Sequence, residues 1–164
     1  KKFEKASRAL HYFVKDQEKK GMKMYEAIPD AVALVRRLFD TQKYCIGILT
    51  GNVRTMAEWK LLHSGIGTSY FRLYLTGDEV DDRITLAKSV FVDAKNIFHR
   101  EFSPQDIIVV GDAIGDITCA KAIGAFTIIV TTGNHSTKEE LSGYQPDLLV
   151  DSLMDKQVLA LLGV

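Results

Sequence analysis

The stretch Asp106–Gly124, DIIVVGDAIGDITCAKAIG, is the one on which the fold turns. Ile107-Ile108-Val109-Val110 is a short, β-branched, uncharged run, the pattern of a parallel strand covered on both faces. Gly111-Asp112 ends it. Ile117, Ala120 and Ile123 then recur at helical spacing up to a stop at Gly124. A strand that feeds a helix through a Gly-Asp turn puts Asp112 at the carboxyl end of its strand, where open α/β sheets place their ligands. Asp116 follows about one helical turn later, so both carboxylates can point at one spot. Two such carboxylates repel unless a cation lies between them, and all-oxygen donors suit a hard cation such as Mg2+. The plainer reading is that Asp112 caps the helix and Asp116 is solvated.

Strand and helix patterns alternate on both sides of this stretch. Upstream, Cys45–Leu49 (CIGIL) reads as a strand ending in Thr50-Gly51-Asn52, followed by a helix over Val53–His63 that Ser64-Gly65 closes. Leu73–Leu75 is a short strand running into the acidic loop Gly77–Asp82, and Arg83–Phe98 is a single long helix. Downstream, Thr127–Val130 is a strand ending in Thr131-Thr132-Gly133. Ser136 and Glu139 have capping-box spacing. Leu148–Val150 is the last strand, and Asp151/Ser152 cap the terminal helix. Near the start, Phe3, Ala6, Ala9/Leu10, Phe13 and Val14 give residues 2–20 one apolar stripe. A connector over 22–28 leads to a helix with Pro29 in its first turn and Ala31, Leu34, Val35, Leu38 and Phe39 on one face. This alternation predicts an α/β fold, a Rossmann-like parallel sheet flanked by helices. The loops after 45–49, 107–110 and 127–130 carry Thr, Gly, Asn or Asp, which offer hydroxyls and backbone N–H groups to a phosphate.

The 164 residues fit an ordinary core, and 46% apolar with 26% charged residues is the balance of a globular protein. Net charge is +0 with no basic run, so neither nucleic acid nor an anionic membrane is implied as a partner. No apolar run reaches membrane-spanning length, and the Lys-rich start lacks a signal peptide's apolar stretch. Cys45 and Cys119, in apolar surroundings without metal-ligand spacing, read as reduced thiols of a cytoplasmic protein. Oligomeric state leaves no mark in the sequence.

Several motifs together resemble the haloacid dehalogenase (HAD) superfamily, nearest its phosphoglycolate-phosphatase-like members. ILTGN at Ile48–Asn52 matches the second family motif, and VVGDAIGDI at Val109–Ile117 matches the fourth. The run Ala120–Gly133 and PDLLVDSL, from Pro146, match the closing part of the core. The resemblance implies residues 23–164 as a HAD-like α/β core and residues 1–22 as the end of a small helical cap. The family's first motif, D-x-D-x-T, supplies the nucleophilic aspartate on a strand central to the sheet, between those at 45–49 and 107–110. No D-x-D stands at a strand end in this chain, so the resemblance implies that this central strand and its nucleophile lie outside the sequence.

What the resemblance implies is a Mg2+-dependent phosphatase of a small phosphorylated metabolite, working through an aspartyl-phosphate. Asp112 would bind Mg2+, and Asp116 would orient it or a metal-bound water. Thr50, with the Gly51 and Asn52 backbone, would hold a phosphoryl oxygen. A third-motif cation would hold nucleophile and phosphate together, with Arg83 and Lys88 as candidates. Family residue type favours Lys88. On the 83–98 helix, however, Arg83 lies roughly 35° from the centre of the apolar stripe and Lys88 roughly 105° from it. Arg83 also opens the helix nearest the strand ends, which favours Arg83. Against these stand a surface pair of Arg83 with Asp81 or Asp82, and capping roles for Thr50 and Asn52.

The Asp78/Glu79/Asp81/Asp82 cluster reads as an acidic approach to a helix N-terminus before it reads as a second metal site. His11, His63, His99 and His135 share no spacing, and Met56 and Trp59 read as core. A dehalogenase needs no metal and would leave Asp112 and Asp116 unexplained. A response-regulator-like receiver predicts an acidic pair and a Lys that are not visible. From another class, a non-catalytic phosphate-binding or scaffold protein would follow if the nucleophile is truly lacking.

Overall fold

The structure is a computed structural model that describes residues 2–21, 27–78, 82–133 and 136–164. Most of the expected 22–28 connector, with Glu79, Asp81 and His135, lies outside the described residues. Helices and strands alternate as α1 (Lys2–Lys19), α2 (Pro29–Thr41), β1 (Gly47–Thr50), α3 (Arg54–His63), β2 (Leu73–Thr76), α4 (Arg83–Lys88) and α5 (Val90–Phe98). They continue as β3 (Ile108–Gly111), α6 (Ile114–Ile123), β4 (Phe126–Val130), α7 (Lys138–Gly143), β5 (Leu148–Val150) and α8 (Lys156–Leu162). All described strand pairs are parallel, as the alternation predicts.

The strands form two sheets: β1 pairs with β2, and β3–β4–β5 form a separate run, with Ile48 opposite Tyr74 and Val110 opposite Ile128. β1 and β3 are therefore two edges. Parallel strands are normally buried on both faces, and β4 obeys, with Thr127–Val130 all buried. β1 and β3 do not: their residues are half-buried or exposed, and Val110 is 40% exposed.

Two helical layers hold the edges apart at a common level. On one face, α2 sends Leu34 into the cluster of Ile128, Val130 and Val150, against which Ile108 packs. Val32 and Val35 of the same helix pack with Ile48 against Leu61, Ile66 and Phe71. On the other face, Ala87 of α4 and Cys119 and Ala120 of α6 form a cluster that receives both Leu49 of β1 and Val109 of β3. Ile48/Leu49 and Ile108/Val109 thus alternate between the same two helical layers. β1 and β3 are not paired with each other, and in this gap in the pairing the family resemblance puts its first strand.

Several local expectations shift. The helix over 83–98 is two helices meeting at Ser89, whose hydroxyl lies 3.0 Å from the Leu86 carbonyl and 2.9 Å from Asp93, a local bond that competes with the helical ladder. The capping box falls one residue later than expected, on Thr137 and Glu140. Asp155, not Asp151/Ser152, caps α8 by accepting from Gln157 N–H. Asp151 instead accepts from Thr131 Oγ1 (2.7 Å) and Lys138 Nζ (2.8 Å), and Lys138 holds its carboxyl below the usual range. Of the α1 stripe residues whose side chains are described, Val14 is buried and Ala9 and Phe13 are exposed. Cys45 is exposed rather than enclosed by apolar neighbours. Among the described residues, no helix is long and apolar enough to cross a membrane.

Candidate functional site

The strand ends form two rims on either side of the gap. β1 ends at Thr50, whose Oγ1 accepts from the Asn52 backbone N–H (3.1 Å) and side-chain Nδ2 (2.9 Å). Asn52 is thus turned onto Thr50 and does not cap α3, whose N-cap is Val53. The Thr50 hydroxyl keeps its own hydrogen to donate. The β2 end is tied to the same rim: Gly77 N–H donates to Asn52 O (2.9 Å). Asp78 accepts from Arg54 N–H (2.6 Å) and Thr76 Oγ1 (2.9 Å). That Thr-Gly-Asp pattern at 76–78 repeats the Thr-Gly-Asn at 50–52, and it was the available signal for this second half of the rim.

The opposite rim is the turn from β3 to α6. Asp116 Oδ2 accepts from the N–H groups of Asp112 and Ala113, both at 3.1 Å, so the carboxylate folds back onto the turn that carries Asp112. Gly111 makes this possible, since a Cβ there would collide with the Asp116 carboxylate. Gly133, in the loop after β4, likewise gives the room that Asp112 occupies. Sequence alone marks both glycines only as turn residues; their need comes from side chains five and twenty-one positions away.

Arg83 joins the rims. Its Nη2 pairs with Asp116 Oδ1 at 2.7 Å, and the Asp116 side chain is only 15% exposed. The stem of Arg83 passes Gly51, and its Nη1 crowds the position a Cβ on Gly115 would take. Reaching from the Gly51 loop to Asp116, Arg83 crosses the carboxyl end of the gap. Its Nε–H is buried and has no acceptor among the described residues. An unpaired buried donor costs about 1–3 kcal/mol, so this nitrogen is built for an acceptor not among them. Arg83 is therefore not the surface partner of Asp82. That carboxylate caps α4, accepting from Thr85 N–H at 2.8 Å. Lys88 ends α4 in an exposed position. Cys119 lies 3.5 Å from the Arg83 carbonyl, and burial pushes its thiol up, away from the reactive thiolate.

The donor chemistry suits a small, hard cation. Asp116 has both oxygens engaged, by the turn and by Arg83, and Asp112 adds a second carboxylate at the strand end, beside the Thr50 hydroxyl, the Asn52 amide and the peptide groups of the loops. No cluster of three or more His, Cys, Asp or Glu side chains occurs among the described residues. A softer metal that needs nitrogen or sulfur ligands has none grouped here.

Comparison with known proteins places this geometry in a family context. A family model described as HAD-hydrolase-like matches residues 85–156, which include β3, α6, β4 and β5. A phosphoglycolate phosphatase of Nitrosococcus oceani is 22% identical over 153 residues, 93% of this chain. The chain spans 64% of that relative's length. Among solved structures, a predicted phosphatase from Clostridium acetobutylicum superposes with TM-score 0.72 at 21% identity, covering 98% of this chain and 71% of its own. A haloacid dehalogenase-like hydrolase from Streptococcus pneumoniae gives 0.66 at 21% identity, covering 82% and 59%. An L-2-haloacid dehalogenase gives 0.58 at 17%, covering 94% and 70%, so the fold is common to both chemistries.

Proposed function

We propose, for a chain that is HAD-like in fold and over residues 85–156 in sequence, a Mg2+-dependent phosphatase acting on a small phosphorylated metabolite. The observation that carries this reading is the buried Nε–H of Arg83, without an acceptor among the described residues, at the end of the gap between the Thr50–Asn52 loop and the Asp112 turn. A phosphate, with several acceptor oxygens, answers that donor together with the Thr50 hydroxyl and the Gly51 and Asn52 peptide groups.

The nucleophile is an aspartate on a strand outside these 164 residues that fills the gap. Its carboxylate oxygen bonds to phosphorus as the ester oxygen leaves, and water then hydrolyses the aspartyl-phosphate. Arg83 holds phosphate and carboxylate together against their repulsion. Asp116 fixes both Arg83 and the turn that carries Asp112. Asp112 would hold Mg2+, which supplies charge neutralisation to the transferring group. Residues 1–22 belong to a cap above this site, and the protein works in the cytoplasm.

In the complete protein, hydrolysis of para-nitrophenyl phosphate is expected to require added Mg2+ and to stop on chelation. Calorimetric titration should show a strong loss of Mg2+ affinity for Asp112→Asn. Asp116→Asn should lose less, about 10–100-fold. Full turnover in the presence of a chelator would contradict the proposal, and the reverse order of the two variants would exchange their roles.

A further inference from the structure

The contact between α4 and α6 holds a glycine that helix formation does not ask for. Gly115 is the second residue of α6 and its φ is not positive, so its own backbone does not need glycine, which is a poor helix former. The need lies across the contact. A Cβ at this position would stand 2.7 Å from Arg83 Nη1 and 3.6 Å from its Cζ, where ordinary non-bonded contact is about 3.5–4.0 Å.

The end of an arginine can normally swing away from such a collision. Here it is held. Nη2 is paired with Asp116 Oδ1 at 2.7 Å, and Asp116 Oδ2 in turn accepts from the Asp112 and Ala113 N–H groups. Nε is buried. The backbone is fixed as well: the Arg83 carbonyl lies 3.5 Å from Cys119 Sγ, and fully buried Ala87, one turn along α4, packs against Cys119 and Ala120. Helix α4 cannot withdraw from α6 without opening that cluster. A methyl group at position 115 would therefore have to turn the guanidinium, breaking its pair with Asp116 or moving Nε–H away from the end of the gap.

We propose that Gly115 is a positioning residue for Arg83: its bare Cα leaves the slot that Nη1 fills, and this keeps the guanidinium aimed across the two rims. The placement follows from the packing of α4 on α6; its use in catalysis rests on the phosphatase reading.

The slot is fitted to a fork. A guanidinium carries two terminal nitrogens in one plane, so engaging Asp116 through Nη2 commits Nη1 to the Gly115 side. An ammonium in the same place would have one terminal nitrogen and no need of the glycine.

The test is a double-mutant cycle in the 164-residue chain, read as the urea midpoint. In the Arg83→Ala background, Gly115→Ala should raise the midpoint by about 0.2–0.5 M, the gain of alanine over glycine in a helix at an ordinary urea slope. With Arg83 in place, the same substitution should give no gain, or a loss. The Arg83→Lys background should recover the gain while keeping a cation beside Asp116, which separates the shape of the fork from its charge. An equal shift in every background, or a larger gain with Arg83 present, overturns the proposal. In a complete protein that hydrolyses para-nitrophenyl phosphate, Gly115→Ala should lower kcat by about 10–100-fold, the scale of displacing a positioned group. It should add nothing to the loss caused by Arg83→Ala. Losses that multiply in the double variant would mean that Gly115 does not act through Arg83, and would also overturn the proposal. A complete protein without turnover would overturn the phosphatase reading instead, and the urea cycle would still decide the placement.

Discussion

Arg83 carries more of this account than any other side chain. Its position in the first turn of α4, near the apolar stripe, was legible from helical periodicity. Its partner was not: Asp116 lies thirty-three residues away, and only the fold brings the two to 2.7 Å. If the complete protein is the phosphatase proposed above, Arg83→Ala should lower its turnover by about 10²–10³-fold, the scale of losing one preorganised charge-stabilising donor. Lys88→Ala, at an exposed position, should change it little. Steady-state kinetics on the two variants decides the matter, and a damaging Lys88→Ala would transfer the role. Gly77 offers a stability test at the same scale. A Cβ there would meet the Gly51 carbonyl, which is backbone and cannot swing away, so Gly77→Ala should destabilise by about 1–3 kcal/mol in chemical denaturation. The sequence gives no hint of this, because it marks Gly77 as a turn residue and is silent about which other turn presses on it.

At the scale of elements, periodicity found where helices and strands lie, and local bonds decided where they end. Ser89 divides the 83–98 run because its hydroxyl competes for the preceding turn, an interaction that an apolar stripe cannot register. The caps of α7 and α8 fell one and three or four residues from their expected places, since Thr137 and Asp155 were as eligible in type as their neighbours. Asp82 supplies a pH prediction. Its side-chain bond with Thr85, and the backbone N–H groups of α4 after it, hold its carboxyl below the usual range. A lowered carboxyl stabilises the fold fully above the ordinary carboxylate value of about 4, and that contribution fades as pH falls below it. The parent's advantage over Asp82→Ala in urea midpoint should therefore be larger at pH 7 than at pH 3, and an advantage that grows on acidification would contradict the sign. Leu34 tests the layer that spans the gap. Leu34→Ala should cost about 2–5 kcal/mol, because the residue is 3% exposed and joins α2 to the β3–β4–β5 cluster.

For the whole molecule, the sheet is the decisive feature. Alternating patterns predicted parallel strands, and the HAD resemblance predicted that one central strand would be wanting. The structure answers with two sheets, β1–β2 and β3–β4–β5, whose facing edges are the least buried strands and share the same two helical layers. Hydrophobic pattern alone could not show this, since β1 and β3 are as apolar as the buried β4 and differ only in what lies beside them. The Arg83 Nε–H, without an acceptor among the described residues, lies beside the Asp112 turn at one end of the gap, and the phosphatase reading holds that catalysis needs a further strand there. The direct measurement is hydrolysis of para-nitrophenyl phosphate with Mg2+, by the 164-residue chain and by a form that also carries a hydrophobic strand ending in D-x-D-x-T. Turnover by the extended form alone is the predicted result; equal turnover by the 164-residue chain would contradict the account, because Arg83, Asp112 and Thr50 provide no nucleophile by themselves.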